Sequence, residues 1–402
     1  MIIIKRKEDC CGCSACMAAC PVNVIKMASD DEGFYYPKID KDKCIQCGKC
    51  DSVCPVKNNN MEIVKEQKAF LFQLRNKNLR MDSTSGGAFT AIAVAILREG
   101  GVVFGAAYDD AFNVVHRYVE TEAELWRFRN SKYVQSDVKN SFRQVKNFLR
   151  AGRKVCFSGT PCQIEGLHNY LGEIKQRENL LLVDMVCRAV PSPLFWQKYI
   201  TWQQKNTGKK IGNIRFRDKR HYGYKYSQMV IEDKNGNIIY HKGVESDPYL
   251  RAFFSNLIDR PTCYECKFKK RYRVSDITLW DCFDVGLKNF DLDDDIGTTN
   301  VLIHSELGKI VLRKINTDKI LPIAVDKCVN GMREMICPVK KNKARTIFMN
   351  NIKSMDMSEI IKIWFPDNIK TKANRCLRIC IIKLGLYGAL KKCLVITKRF
   401  LV

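Results

Sequence analysis

Cys-Cys-Gly-Cys-Ser-Ala-Cys-Met-Ala-Ala-Cys-Pro at residues 10–21 and Cys-Ile-Gln-Cys-Gly-Lys-Cys-Asp-Ser-Val-Cys-Pro at residues 44–55 are two copies of one pattern. Each ligand-type cysteine of the second copy lies 34 positions after its counterpart, which marks an internal duplication. Three cysteines separated by two-residue gaps can wrap one face of a cubane cluster, and the cysteine before proline then reaches the other cluster. The spacing therefore assigns Cys10, Cys13, Cys16 and Cys54 to one 4Fe-4S cluster, and Cys44, Cys47, Cys50 and Cys20 to a second. A pair of structural zinc sites would want cysteine pairs held apart by a longer spacer. Cys11 is the surplus thiol, read as a non-ligand.

Outward from this run, residues 57–66 are polar and read as a linker. Beyond it, strand-like and helix-like pieces alternate. Lys68–Arg75 predicts a strand, Gly86–Arg98 an apolar helix stopped by Gly100-Gly101, and Val102–Tyr108 a buried strand. Val138, Phe142, Val145 and Leu149 fall on one helix face. Val155–Ser158 and Leu180–Val186 follow as short apolar strands around a helical Gln163–Leu171. This alternation predicts an α/β layer with partly parallel strands. Residues 211–245 predict a smaller β-rich piece with a hairpin turn at Asn235-Gly236, and after about residue 325 the pattern becomes helical and basic.

A further set of cysteines is less decided. Cys162 and Cys187 each follow an apolar strand, which in a parallel sheet puts both at its carboxyl edge, where open α/β sheets bind ligands. Cys263 and Cys266 form a two-residue-gap pair. Spacing alone leaves open whether the four hold a third cluster, or whether Cys162 and Cys187 are small buried hydrophobes and the pair binds zinc or nothing. Ser83-Thr84-Ser85-Gly86-Gly87 opens an apolar helix, as either a phosphate site or a plain N-cap.

The segments 83–89, 131–136, 158–164, 184–193, 216–219, 260–268 and 275–279 together resemble the coenzyme F-420 hydrogenase/dehydrogenase beta subunit family, here joined to an N-terminal bacterial-type two-cluster ferredoxin. The resemblance implies FAD beside a third 4Fe-4S cluster ligated by Cys162, Cys187, Cys263 and Cys266. It implies a flavin pocket drawn from Ser85, Gly86, Gly87, Lys132, Tyr133, Thr160 and Gln163. The expected fold is an α+β ferredoxin domain over residues 1–60, an α/β flavin and iron-sulfur domain over 66–325, and a basic helical C-terminal extension over 326–402. The chain departs from the family at Arg188-Ala189, where His-Gly is usual, and at Trp280–Asp284. The expected function is an FAD and 4Fe-4S oxidoreductase passing electrons between its clusters and a flavin-coupled two-electron carrier or substrate, deazaflavin or other. The alternative is a non-catalytic electron-transfer adapter between redox partner proteins.

Composition is that of a folded protein, 46% hydrophobic and 28% charged. The apolar start is too short for a secretory signal, and twenty cysteines without one indicate ligands and redox groups in the cytoplasm. Three oxidised clusters would reduce the formal net charge of +25 to about +19. So basic a chain suits an anionic small-molecule carrier or substrate, phosphorylated or otherwise, and an acidic redox protein partner. Nucleic acid is disfavoured, because the cations are spread along the chain and no recognition motif occurs. From Lys370 to Val402 there are nine Lys or Arg and no acid. Leu377, Ile381, Leu384, Tyr387 and Leu394 predict an amphipathic helix there, packed on the protein's own core, with Cys376 and Cys380 as plain apolar residues and membrane contact at most peripheral.

Overall fold

The structure, a computed structural model, describes residues 1–173, 177–315 and 319–386. In the N-terminal region each cysteine run leads into a short helix, Ala15–Ala19 and Lys49–Ser52, and between them β1 (Ile25–Ser29) pairs antiparallel with β2 (Tyr35–Ile39). This small α+β unit has the make-up of a ferredoxin.

The main body is an eight-stranded sheet. Its strands are β3 (Lys68–Gln73), β4 (Val102–Tyr108), β5 (Val114–Val119), β6 (Val155–Gly159) and β7 (Leu180–Met185). After β8 (Ile211–Asp218), β9 (Gln228–Asp233) and β10 (Ile238–Lys242), which make a separate three-stranded sheet, it is completed by β11 (Ile277–Asp281), β12 (Thr299–Ile303) and β13 (Lys319–Ile323). The order is β13-β3-β12-β11-β7-β6-β4-β5. The centre, β4, β6, β7 and β11, is parallel, and the flanks are antiparallel. Strands buried on both faces read as continuous apolar runs, which is why β4, β6 and β7 are legible in the sequence.

The strand period divides the core between the two faces. Val103, Leu181 and Val183 pack under the helix Ala88–Arg98 and the helix Glu306–Lys314. Val102, Phe104, Leu180 and Leu182 pack under Ser141–Arg150 and Pro161–Leu171, on the face where the ferredoxin region also sits. Two devices hold it there. At Gly166 a Cβ would lie 2.8 Å from the Cys13 sulfur, so only glycine lets the two elements approach. Arg143 donates to the carbonyls of Met17, Ala18 and Cys20 at 2.9–3.1 Å, satisfying the open C-terminal end of Ala15–Ala19.

The hairpin at Asn235-Gly236 forms as predicted, with Gly236 at φ +83° and the Asp233 carboxylate accepting from the Asn235 and Asn237 N–H groups. Past Ile323 the described chain is helical. Arg345, on the helix Arg345–Ser354, makes a buried bidentate pair with Glu32 of the ferredoxin region at 2.7 and 3.1 Å.

The tail helix forms at Ile369–Lys383, but not in the expected orientation. Ile369, Leu377 and Leu384 are 86%, 60% and 69% exposed, and Cys376 and Cys380 are exposed too. Leu377 and Leu384 of the expected face therefore do not pack on the core, whereas Ile381, like its neighbours Ile379 and Ile382, is half-buried. Tyr387 and Leu394 lie outside the described residues. No described helix is long and apolar enough to cross a membrane.

Candidate functional site

Gly12, at φ +71°, turns the chain so that its N–H donates to the Cys10 sulfur at 3.4 Å, and the Ile2 N–H donates to Cys50 at 3.2 Å. N–H groups aimed at sulfur are among the means by which a protein tunes an iron-sulfur cluster. Burial pushes the Cys16 thiol up, with Cys10 and Cys54 adding to it, and Cys54 in turn is raised by burial and by Cys10. These thiols thus share one neighbourhood. Cys20, Cys44, Cys47 and Cys50 line a single small cavity, with Cys47 exposed at the surface. Cys50 also acts on Cys16, so the two groups adjoin.

The parallel centre of the sheet sets up the second group. Cys162 lies just past the end of β6 and Cys187 just past the end of the adjacent parallel β7, at the same sheet edge. Cys263 and Cys266 arrive on the turn after Pro261. Burial raises the Cys263 thiol first, followed by the charges of Cys266, Cys187, Asp259 and Cys162. Burial pushes Cys187 up to about 12, with Cys162 and Cys266 contributing and Lys269 opposing. The fold thus brings the four thiols into one neighbourhood, Cys263 buried and the other three half-buried. Among the described residues, no three His, Cys, Asp or Glu side chains close around a single metal ion.

Cys11 proves to be more than surplus. It is buried, and its thiol lies beside those of Cys13 and Cys162, between the first cysteine set and the second group. The Cys10-Cys11 doublet was the only signal in the sequence.

Cys11 and Cys162 also form part of the wall of a cavity of about 880 Å³ at the carboxyl edge of β6, β7 and β11. Of the residues expected around a flavin, Ser85, Gly87, Lys132, Tyr133, Thr160 and Gln163 all line it. Gly86 does not. Its N–H donates to Thr299 Oγ1 at 2.9 Å, its carbonyl accepts from Leu74, and a Cβ there would lie 2.6 Å from the Thr299 nitrogen. Gly86 is what lets the loop press against β3 and β12.

The same loop settles the N-cap question. No side chain caps the helix Ala88–Arg98, whose N-cap is Gly87 at φ +86°. The hydroxyls are engaged elsewhere: Ser83 donates to Leu79 O, Thr84 pairs with Ser131, and Ser85 donates to Thr298 O at 2.6 Å. Ala88, Phe89 and Thr90 line the cavity, so an uncapped helix start faces it.

Three further wall residues were not legible in advance. His116 on β5 accepts at Nδ1 from the Ser136 hydroxyl at 2.6 Å and donates from Nε2 to Ser158 O at 3.0 Å, and burial lowers its pKa to about 4, keeping the ring neutral. Arg217 pairs with Asp281 at 3.2 Å and lies over the Phe283 ring. Trp280, at the end of β11, is buried with its indole N–H unpartnered. Arg188, the other departure from the family pattern, is held by Asn256 at 2.9 Å and Glu334 at 3.4 Å while its Nε has no partner. The wall carries six cations, among them Lys132, whose pKa burial lowers to about 7, against the three acids Asp184, Asp281 and Glu334. It attracts anions.

Residues 9–58 and 36–83 match 4Fe-4S dicluster domains. Residues 152–325 match the family described as the C terminus of the coenzyme F420 hydrogenase/dehydrogenase beta subunit. Among solved structures, a chain of the F420-reducing NiFe hydrogenase complex from Methanosarcina barkeri is similar at 15% identity and a TM-score of 0.44, covering 77% of this chain and 94% of that one. No curated protein matches. The chain thus carries 4Fe-4S dicluster domains ahead of a region, residues 152–325, that matches the C-terminal part of the coenzyme F420 hydrogenase/dehydrogenase beta subunit, the make-up of an iron-sulfur electron-transfer protein.

Proposed function

We propose that the protein is an FAD-dependent oxidoreductase that passes electrons between its ferredoxin-type clusters and an anionic two-electron carrier or substrate, through a third 4Fe-4S cluster on Cys162, Cys187, Cys263 and Cys266. The observation that carries this is one continuous cavity that runs from the uncapped start of Ala88–Arg98 to Cys11 and Cys162. Ser85, Gly87, Lys132, Tyr133, Thr160 and Gln163 would hold the flavin. When bound, FAD would exchange two electrons with a hydride donor and single electrons with the clusters. The chain supplies the rest: helix N–H groups for phosphates, a neutral His116, and the unpartnered donors Arg188 Nε, Arg217 Nη2 and Trp280 Nε1 toward an oxyanion.

In this reading the units are 1–60, 66–325 and 326–402. The family match ending at residue 325 and the helical chain after Ile323 support the second boundary. Free thiols of this number suit the reducing cytoplasm. The test is anaerobic purification with adequate flavin, release of the bound flavin by denaturation, and a screen of reduced deazaflavin, NADH and NADPH for flavin bleaching. FAD in stoichiometric amount with bleaching by one donor is expected. Cluster-loaded protein that never contains flavin would leave only the adapter function.

A further inference from the structure

The helix Ile369–Lys383 leaves one apolar stripe facing away from the protein. Taken at 100° per residue, Ile369, Ala373, Cys376, Leu377, Cys380 and Leu384 form one stripe, and every one of them is exposed. The half-buried positions, Thr371, Arg375, Arg378, Ile379, Ile381 and Ile382, lie outside this stripe, so the side toward the protein carries isoleucines as well as arginines. Arg378 reaches the wall of the large cavity, and the charges of Arg375 and Arg378 act on His241 and Tyr226 beside the small sheet.

The charge around the stripe says what it fits. Lys372 and Lys383 flank it and are exposed, and the sequence from Lys370 onward has no acid. Apolar side chains along one face, bordered by lysines and unopposed by carboxylates, are the chemistry of a helix lying in an anionic bilayer interface. We propose that this helix docks the protein on an anionic membrane surface, its outward stripe among the acyl chains and Lys372 and Lys383 at the headgroups. Arg378 ties the docked helix to the wall of the cavity. The inference is independent of the redox reading.

The test is co-sedimentation of full-length holoprotein, at physiological salt, with vesicles of phosphatidylglycerol and phosphatidylcholine in equal parts and with pure phosphatidylcholine vesicles. Sedimentation with the anionic vesicles alone is expected. Leu377→Glu combined with Leu384→Glu should weaken it roughly tenfold or more, by losing apolar burial and adding repulsion. Both positions are exposed, so cluster absorbance and the thermal midpoint should not move. Wild-type protein that stays in the supernatant, or variants that bind as well as wild type, would overturn the proposal. So would binding that appears only after residues 387–402 are deleted, which would assign the stripe to the chain's own end. Loss of a dimer in light scattering on the same substitutions, without vesicle binding, would assign it to a second copy.

Discussion

The thiol of Cys11 lies beside that of Cys162 and each shifts the other's ionisation, bringing the first cysteine set of the ferredoxin region up to the helix that follows β6. In the proposed crossed sets Cys11 is not a ligand. Cys11→Ser should therefore leave the iron content unchanged in anaerobic preparations. A loss of about four irons per chain would make Cys11 a ligand instead.

Gly86 and Gly87 are neighbours with different duties, and alanine separates them. At Gly86 the new methyl would meet the backbone of β3 and β12, which cannot yield as a flexible side chain can. Gly86→Ala should cost about 3 kcal/mol or more and reduce the yield of folded protein. At Gly87 the cost is the left-handed backbone, about 1–2 kcal/mol. Gly87→Ala should fold, and any defect should appear in flavin content. Denaturant titration of both variants checks the ranking.

How much of this was legible follows from what each interaction depends on. The cysteine runs, β4, β6, β7 and the face of Ser141–Arg150 are local patterns, written in spacing and period. The positions of Cys162 and Cys187 followed once the strands were parallel. The duties of Gly86, His116 and Trp280 were hidden, because each depends on a strand distant in sequence. Gly86 needs Thr299, and His116 needs Ser136 and Ser158. The tail helix was legible as amphipathic, but hydropathy does not say which side meets the protein.

Asp259 is fully buried and neither carboxylate oxygen has a hydrogen-bond partner. Burial raises its pKa to about 7, against the opposing charges of Arg188, Arg345 and Lys269. Unfolded, it would titrate near its ordinary value of about 4. The native state binds the proton more tightly, so stability is favoured at acid pH and declines as pH rises from about 4 to about 7, then levels off. Asp259→Asn, neutral throughout, should stabilise the holoprotein relative to wild type by a margin that grows across this window, at most on the order of 4 kcal/mol. Thermal midpoints measured at pH 5 and pH 8 test it. An advantage that does not grow with pH would show that Asp259 stays ionised in the fold.

Trp280 brings to the cavity wall a buried indole N–H with no partner among the described residues. Trp280→Phe keeps a ring against Val186 and Met332 and removes only the donor. Flavin content should stay at the wild-type level, while an anionic substrate should bind about tenfold more weakly, the worth of one buried hydrogen bond. A variant that loses FAD would show that the donor serves the flavin. Equilibrium titration alongside a flavin assay separates the two outcomes.

The four thiols of Cys162, Cys187, Cys263 and Cys266 are best tested in the whole chain. The ferredoxin region shares its core with the main sheet through Ala15, Ala18 and Leu167, and Arg143, Glu32 and Arg345 fasten it further, so removing it would expose an apolar face. A truncated protein without iron would therefore report on folding as much as on ligation. Cys263→Ser in the full chain avoids this, because serine preserves size and Cys263 belongs to neither ferredoxin set. Iron should fall by up to about four per chain, or the cluster should convert, while the ferredoxin signals persist in low-temperature electron paramagnetic resonance. Cys282→Ser is the control, since Cys282 is equally buried but bonds to Asp284 outside the group. Bound FAD should remain reducible by its donor in Cys263→Ser, with electrons reaching the ferredoxin clusters slowly or not at all. Full iron and unchanged transfer in Cys263→Ser would mean that these thiols hold no cluster and that the route to the ferredoxin passes elsewhere.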